Sequence, residues 1–275
     1  MNELLAAITQ DEVILAHILA VGLGITRIVA MLSFAPFFGP AVTMPMRMGL
    51  AIALYMPLHP YFVYCIDEQS LIHTFSINVL ALLALKETIL GMLLAMITGF
   101  VFWATMSAGF IVDNQRGASQ AQGSEIMTGD EISPFGEVLF LSMLTLFYAS
   151  GAFVAFLMLF YKSYILWPVF NFMPSLSSSN IALFFADGVD GLMTTALLLC
   201  GPFMLVSLMT DISLGIINRF APQLNVYILS MPIKSGLCAL LIVFFVLPYF
   251  DISALLLEKS HDMSQYFLNL VRGVI

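Results

Sequence analysis

Charge is what this sequence has least of. Its 275 residues include 9 Lys and Arg and 17 Asp and Glu, 9% of the chain, against about 25% in an average soluble domain. So few charges cannot solvate a globular surface. With 61% hydrophobic residues and a mean hydropathy of +1.01, a water-soluble enzyme domain and a disordered chain are both excluded. Clusters of Lys and Arg are missing as well, and the net charge is -8 with a pI near 4.7. Nucleic acid and anionic lipid surfaces are both bound through such clusters, so no nucleic-acid partner is expected. Cysteine is scarce: Cys65, Cys200 and Cys238 are an odd number at wide spacing in apolar runs. They suit neither a disulfide framework nor a CxxC metal site, and read as small buried hydrophobes. No basic segment precedes the first apolar run, where Glu3, Asp11 and Glu12 stand instead. A cleavable signal peptide is therefore not expected, and the first hydrophobic segment should stay in the mature protein. Catalytic motifs are absent too. There is no HExxH, GxSxG, P-loop or strand-borne GxGxxG, and His17, His59, His73 and His261 lack metal-ligand spacing. Neither enzyme chemistry nor a cofactor or metal is expected.

What the chain does have is long apolar stretches. A helix needs about 20 such residues to cross a bilayer. Reading between charges gives up to eight candidate passes: 13–35 (interrupted by Arg27), 48–66, 69–85, 88–112, 138–161, 163–186, 191–218 (interrupted by Asp211) and 235–248. These runs of Leu, Met, Phe and Ala do not alternate, which argues against a β-barrel. The expected class is an all-α integral membrane protein embedded in membrane lipid. The charges between the runs alternate in sign: Asp11 and Glu12, Arg47, Asp67 and Glu68, Lys86 beside Glu87, the acidic loop 113–137, Lys162, Asp187 with Asp190, Arg219 with Lys234, then Asp251. With basic turns on the cytoplasmic side, the N-terminus and the loop 113–137 are expected outside. Pro168, Pro174 and the serine run 177–179 should kink or break the sixth pass, which is tolerated only where protein or water surrounds it.

Three features carry functional signals. The first is the loop VDNQRGASQAQGSEIMTGDEISPFG at 112–136, the longest polar stretch in the chain. Arg116 follows Asp113 by three residues, so the two share a face if the preceding helix continues, and an ion pair there could hold the loop. The second is intramembrane charge: Arg27, Asp211 and the Lys86/Glu87 pair each cost about 2.5–3.5 kcal/mol at mid-membrane and should face protein, a partner or water. A structural ion pair is favoured over a proton or ion relay, which would show a chain of acids and histidines. The third is NRFAPQLNVYILSMPIKS at 218–235, where Pro222 and Pro232 bracket nine residues. As helix those would span about 14 Å against a hydrocarbon thickness of about 30 Å, so the piece reads as a connector whose apolar residues 226–229 meet a protein. Met44, Met46, Met48, Met92 and Met96 could form a compliant seal, though helix packing is the plainer account.

The connector, the VDNQRGAS segment, and the run of Arg27, APFFG at 35–39, Pro45 and Arg47 together resemble the SctT/FliR family over roughly residues 13–250. These are the T/R subunits of the type III secretion export apparatus. The QRGAS form of the loop is similar to the injectisome branch, which includes YscT, SpaR and HrcT. The resemblance implies a non-enzymatic subunit of a protein-conducting channel in the bacterial inner membrane, within the basal body. It implies assembly with SctR-like and SctS-like export gate subunits, a SctU-like switch protein at the cytoplasmic entrance, and secreted proteins passing through. It implies kinked helical hairpins: an R-like part, 1–190, then an S-like C-terminal hairpin, 191–250, with connector 219–235, leaving 251–275 as a tail. It also makes 113–133 a channel plug, with Asp113, Gln115, Arg116 and Gly117 as its key positions. Arg219, Pro222, Asn225, Pro232 and Lys234 become the partner contact at the cytoplasmic mouth. The rival class is a small multi-pass transporter with a midplane site, which predicts matching broken helices in its two halves.

Overall fold

A computed structural model describes residues 2–39, 42–68, 77–117, 133–171, 179–223 and 225–272. Among these the chain is helical, with no strand. Eight α-helices follow one another: α1 (Asn2–Phe34), α2 (Met44–Tyr55), α3 (His59–Glu68), α4 (Ile77–Gln115), α5 (Pro134–Ala149), α6 (Ala152–Leu166), α7 (Ser179–Phe220) and α8 (Val226–Arg272). Five stretches within them are long and apolar enough to cross a membrane, and the bent pair α5–α6 makes a sixth.

The eight passes expected from charge spacing therefore do not survive. Lys86 and Glu87 lie inside α4, which runs 39 residues without a break, so the passes at 69–85 and 88–112 share one helix. Residues 69–76, at the start of the first of these, lie outside the described part of the chain. The pass at 163–186 is not one helix. α6 stops at Leu166, ahead of Pro168, because the residue before a proline is driven out of the helical region. Pro174 and residues 177 and 178 of the serine run are not among the described residues. The pass at 138–161 bends by 71° between α5 and α6, where Gly151 takes a positive φ of 77° that other residues rarely adopt. Lys162, Asp187, Asp190 and Asp251 also sit within helices. The alternating turns, and the topology drawn from them, go with that placement. The chain after 250 is a continuation of α8 as far as Arg272. The single bent pair has no counterpart among the described residues, so the symmetry that a transporter predicts is not seen there.

The chain divides into two units: Met1–Gly99 with Leu157–Asn180 and Ser264–Ile275, and Phe100–Phe156 with Ile181–Met263. In the first, the turn after α1 explains a conspicuous piece of sequence. Pro36 ends α1, a short 3-10 turn covers Pro36–Phe38 with both phenylalanines buried, and Gly39 turns the chain at φ 58°. Four carbonyls in and around this turn face one guanidinium. Arg47 donates to Gly39 O at 2.8 Å, Leu32 O and Val42 O at 3.0 Å, and Ser33 O at 3.2 Å. Helix C-termini leave carbonyls without partners, and Arg47 supplies the donors that they lack here. In the same unit the structure brings together two histidines that looked scattered: His17 Nδ1 lies 3.0 Å from His59 Nε2, and Tyr55 OH lies 2.8 Å from His59 Nδ1. Met44, Met46, Met48 and Met92 are exposed and Met96 is half-buried.

In the second unit α4, α5, α7 and α8 bury Ala108, Val112, Phe135, Leu139, Leu199, Cys200, Phe203, Cys238 and Tyr249 together. Phe135 meets Phe203 edge-on at 4.9 Å, and Tyr249 OH donates to Leu139 O at 2.6 Å. Gly109 and Gly136 let α4 and α5 touch backbone to backbone; a Cβ at Gly109 would collide with Gly136. Cys200 and Cys238 act here as buried apolar side chains. Outside this core, α7 and α8 leave Leu198, Leu205, Val243, Phe244 and Leu247 largely exposed.

Arg47 provides the first test. Replacing it by Ala is expected to lower stability by about 2–3 kcal/mol, the scale of charge-assisted hydrogen bonds lost from a buried turn. Arg47→Lys should recover only part of this, because an ammonium has three donors and no planar fork to spread over four carbonyls. Thermal unfolding of the detergent-solubilised protein measures both.

Candidate functional site

Two polar constellations interrupt the apolar interior, one in each unit. In the first unit Arg27, on α1, is fully buried and forks onto Glu87 of α4. Its Nε donates to Glu87 Oε2 at 2.6 Å and its Nη2 to Glu87 Oε1 at 3.0 Å. The remaining donors reach Ser163 Oγ at 3.0 Å and Trp167 O at 2.9 Å. The guanidinium carbon stands 4.2 Å from the centre of the Tyr164 ring, whose hydroxyl donates to Gly24 O at 2.9 Å. Gly91 is required here, since a Cβ would strike the Arg27 carbonyl. Lys86 pairs with Glu87 Oε1 at 2.9 Å and donates to the carbonyls of Pro168, Val169 and Asn171 at 3.2, 2.7 and 2.9 Å. The break after α6 is thus closed by a cation from α4. This is an ion-pair cluster in which Glu87 meets both Arg27 and Lys86, as a structural ion pair does.

The second constellation is the neck of the polar loop. Residues 118–132 are outside the described chain, but both ends of the loop are described, and they are stitched together. Asp113 Oδ2 accepts from Ser133 Oγ at 2.6 Å and from the Phe135 backbone N–H at 3.0 Å. Ser133 Oγ in turn accepts from the Gly136 N–H at 3.0 Å, capping α5 with Pro134 at its first position, the arrangement favoured at helix starts. Asp113 Oδ1 holds Arg116 Nη2 at 2.6 Å, the i,i+3 pair that the spacing suggested. Gly117 leaves the helix at φ 79°. The four positions singled out for the plug therefore lie at or just beyond the last turn of α4, forming the loop's base.

The C-terminal hairpin lies in the same unit. Its connector is shorter than the prolines implied: α7 ends at Phe220, α8 begins at Val226, and Pro232 is inside α8. Residues 226–229 are thus the first turn of a helix. Asn225 takes up the cap, its Oδ1 accepting from Ile228 N at 3.5 Å. Two turns into the helix, Lys234 points into the hairpin. It is buried and pairs with Asp211 Oδ1 across the hairpin at 2.6 Å. Arg27 and Asp211, the two intramembrane charges picked out from sequence, thus have different partners, Glu87 and Lys234. At the tip itself Arg219, Phe220, Pro222, Asn225, Tyr227 and Ile228 are all exposed.

A family model described as bacterial export proteins, family 1, matches residues 18–258. The chain belongs to this family of bacterial export proteins. Yop proteins translocation protein T of Yersinia pestis is 35% identical over 200 residues, 73% of this chain and 74% of that one. Surface presentation of antigens protein SpaR of Salmonella typhimurium is 28% identical over 255 residues, 91% and 92% of the two chains. Flagellar biosynthetic protein FliR of Bacillus subtilis is 26% identical over 162 residues, 59% and 62% of the two chains. The SctT/FliR resemblance thus holds, with the injectisome-type relatives favoured, and the chain is a membrane protein with an export-apparatus role.

For this export protein, sequence reasoning missed several residues that complete its polar clusters. Ser163, Tyr164 and Trp167 looked like ordinary members of an apolar run, and only the fold brings them to Arg27. Ser133 was findable, since a serine followed by proline after a polar stretch is a helix-start signal. Removing one partner of the buried pair is the decisive perturbation. Glu87→Ala should destabilise by about 3–5 kcal/mol, because it strands a buried guanidinium. Arg27→Met combined with Glu87→Leu should recover most of that loss, as measured by thermal unfolding in detergent across the double-mutant cycle.

Proposed function

We propose that this export protein is the SctT-type subunit of a type III secretion export gate in the bacterial inner membrane. It forms part of the protein-conducting channel with SctR-like and SctS-like subunits, within the basal body, and has no enzymatic step of its own. Its polar loop, rooted at Asp113, Gln115, Arg116 and Gly117, closes the channel before secreted proteins pass. The observation that carries this reading is the neck: Asp113 gathers Ser133 and Phe135 to the end of α4. Both ends of the loop are thereby tied to one buried base, the anchorage that a plug requires. The long exposed apolar faces of α7 and α8 suit lipid and neighbouring subunits alike, and in the proposed gate the neighbouring subunits cover them.

Deleting 118–130 is expected to raise ion leakage through the assembled gate severalfold, read as dissipation of an imposed potential in vesicles; unchanged leakage would overturn the plug assignment. At the hairpin tip, a SctU-like protein is the proposed contact at the cytoplasmic entrance. Photo-cross-linkers at Phe220 and Ile228, where exposure reaches 83% and 65%, should capture a protein partner in native membranes. Capture of lipid alone would sink that contact.

A further inference from the structure

The hairpin and the loop neck share one side chain. Lys234 Nζ, besides its 2.6 Å pair with Asp211, lies 3.3 Å from Gln115 O at the end of α4. That carbonyl belongs to the last helical turn, where carbonyls lose their intrahelical partners. Nearby, Val112 O accepts from the Arg116 N–H and Asn114 O from the Gly117 N–H, while Lys234 supplies the donor for Gln115. A cation at a helix C-terminus also sits favourably in the helix dipole, more so when partly buried. Three residues before Lys234, Met231 lies against Gly117, the second residue after α4. One turn after Lys234, Cys238 is 4.0 Å from Ser207 on α7. Lys234 is therefore fixed to α7 through Asp211 and to α4 through Gln115. A lysine needed only to neutralise Asp211 could do so from the exposed side, because Asp211 is itself 43% exposed. Lys234 is instead turned to the buried side, toward α4.

We propose that Lys234 is a positioning residue that couples the C-terminal hairpin to the base of the polar loop, so that a displacement of α7 against α8 is transmitted to Gln115–Gly117. This rests on the plug reading for its consequence, and not for its geometry. A partner that moved the hairpin would then loosen the loop without touching it. The coupling element is a two-partner contact: Asp211 and the Gln115 carbonyl hold the same ammonium, and separating the helices forfeits one of them.

Hydrogen exchange of the assembled gate tests the geometry directly. In Lys234→Met, amides 115–117 should exchange on the order of tenfold faster, as expected when a charge-assisted contact on a helix end is lost. Lys234→Arg, which keeps a donor for both partners, should stay close to wild type. Unchanged exchange in Lys234→Met would overturn the coupling. Should that variant fail to assemble, Asp211→Asn decides the question: it leaves every α4 residue intact, yet should also speed exchange at 115–117, and no effect there overturns the proposal. Leakage separates this proposal from the plug reading. Lys234→Met should raise ion leakage in the full-length gate and add nothing in a gate that already lacks 118–130. Full additivity would mean that Lys234 acts elsewhere, and overturns the proposal. If deletion of 118–130 alone leaves leakage unchanged, the plug reading fails, while the exchange result still decides the coupling.

Discussion

A guanidinium buried without water has to be met by protein on every side, and the placement of Arg27 follows from that constraint. Glu87 supplies the charge and two acceptors, and Ser163 and Trp167 supply the rest. With Glu87 neutralised and Lys86 turned onto the carbonyls after α6, two adjacent charges no longer force α4 to end. It continues to Gln115, and this continuity brings the helix end to the place where the polar loop departs. Were Glu87 unpaired, the burial of its carboxylate and of the Arg27 guanidinium would be strongly disfavoured.

The same rule recurs at three helix ends among the described residues. Where α1 ends, Arg47 collects four carbonyls. After α6, Lys86 collects three, and at the end of α4 Lys234 takes one. Three basic side chains serve as C-terminal caps for a chain whose irregular backbone cannot rely on solvent. The scarcity of charge in the composition thus has a second aspect. Many of the few basic residues are turned inward onto backbone, and they are poor markers of which turn faces the cytoplasm.

That explains why the class and family were legible in the sequence while the count and course of the helices were not. Hydropathy reports where apolar residues are and says nothing of whether a charge among them will find a partner. Lys86 and Glu87 looked like a turn because unpaired charges belong at one; paired, they sit in mid-helix. Pro232 looked like the end of a connector because a proline usually lies outside a helix, yet α8 carries it on an exposed face, where the carbonyl that it leaves unbonded is not sealed in the core. The Asp113–Arg116 pair was readable because an i,i+3 relation needs only the helix to continue. The contacts from Asp113 to Ser133 and from Lys234 to Gln115 span 20 and 119 residues, and no local pattern encodes them.

The sequence by itself determined a membrane-embedded, all-helical export protein, since composition fixes the solvent in which a chain folds and the family's motifs persist in order along it. It also marked the polar loop and the hairpin tip as places where the apolar pattern stops. The tertiary structure alone decided which charges belong to the interior, which residues form the base of the loop, and that Lys234 lies between Asp211 and the end of α4. These depend on which helix faces lie within hydrogen-bonding reach, a distance of about 3 Å, and one-dimensional spacing cannot supply it between helices far apart in the chain.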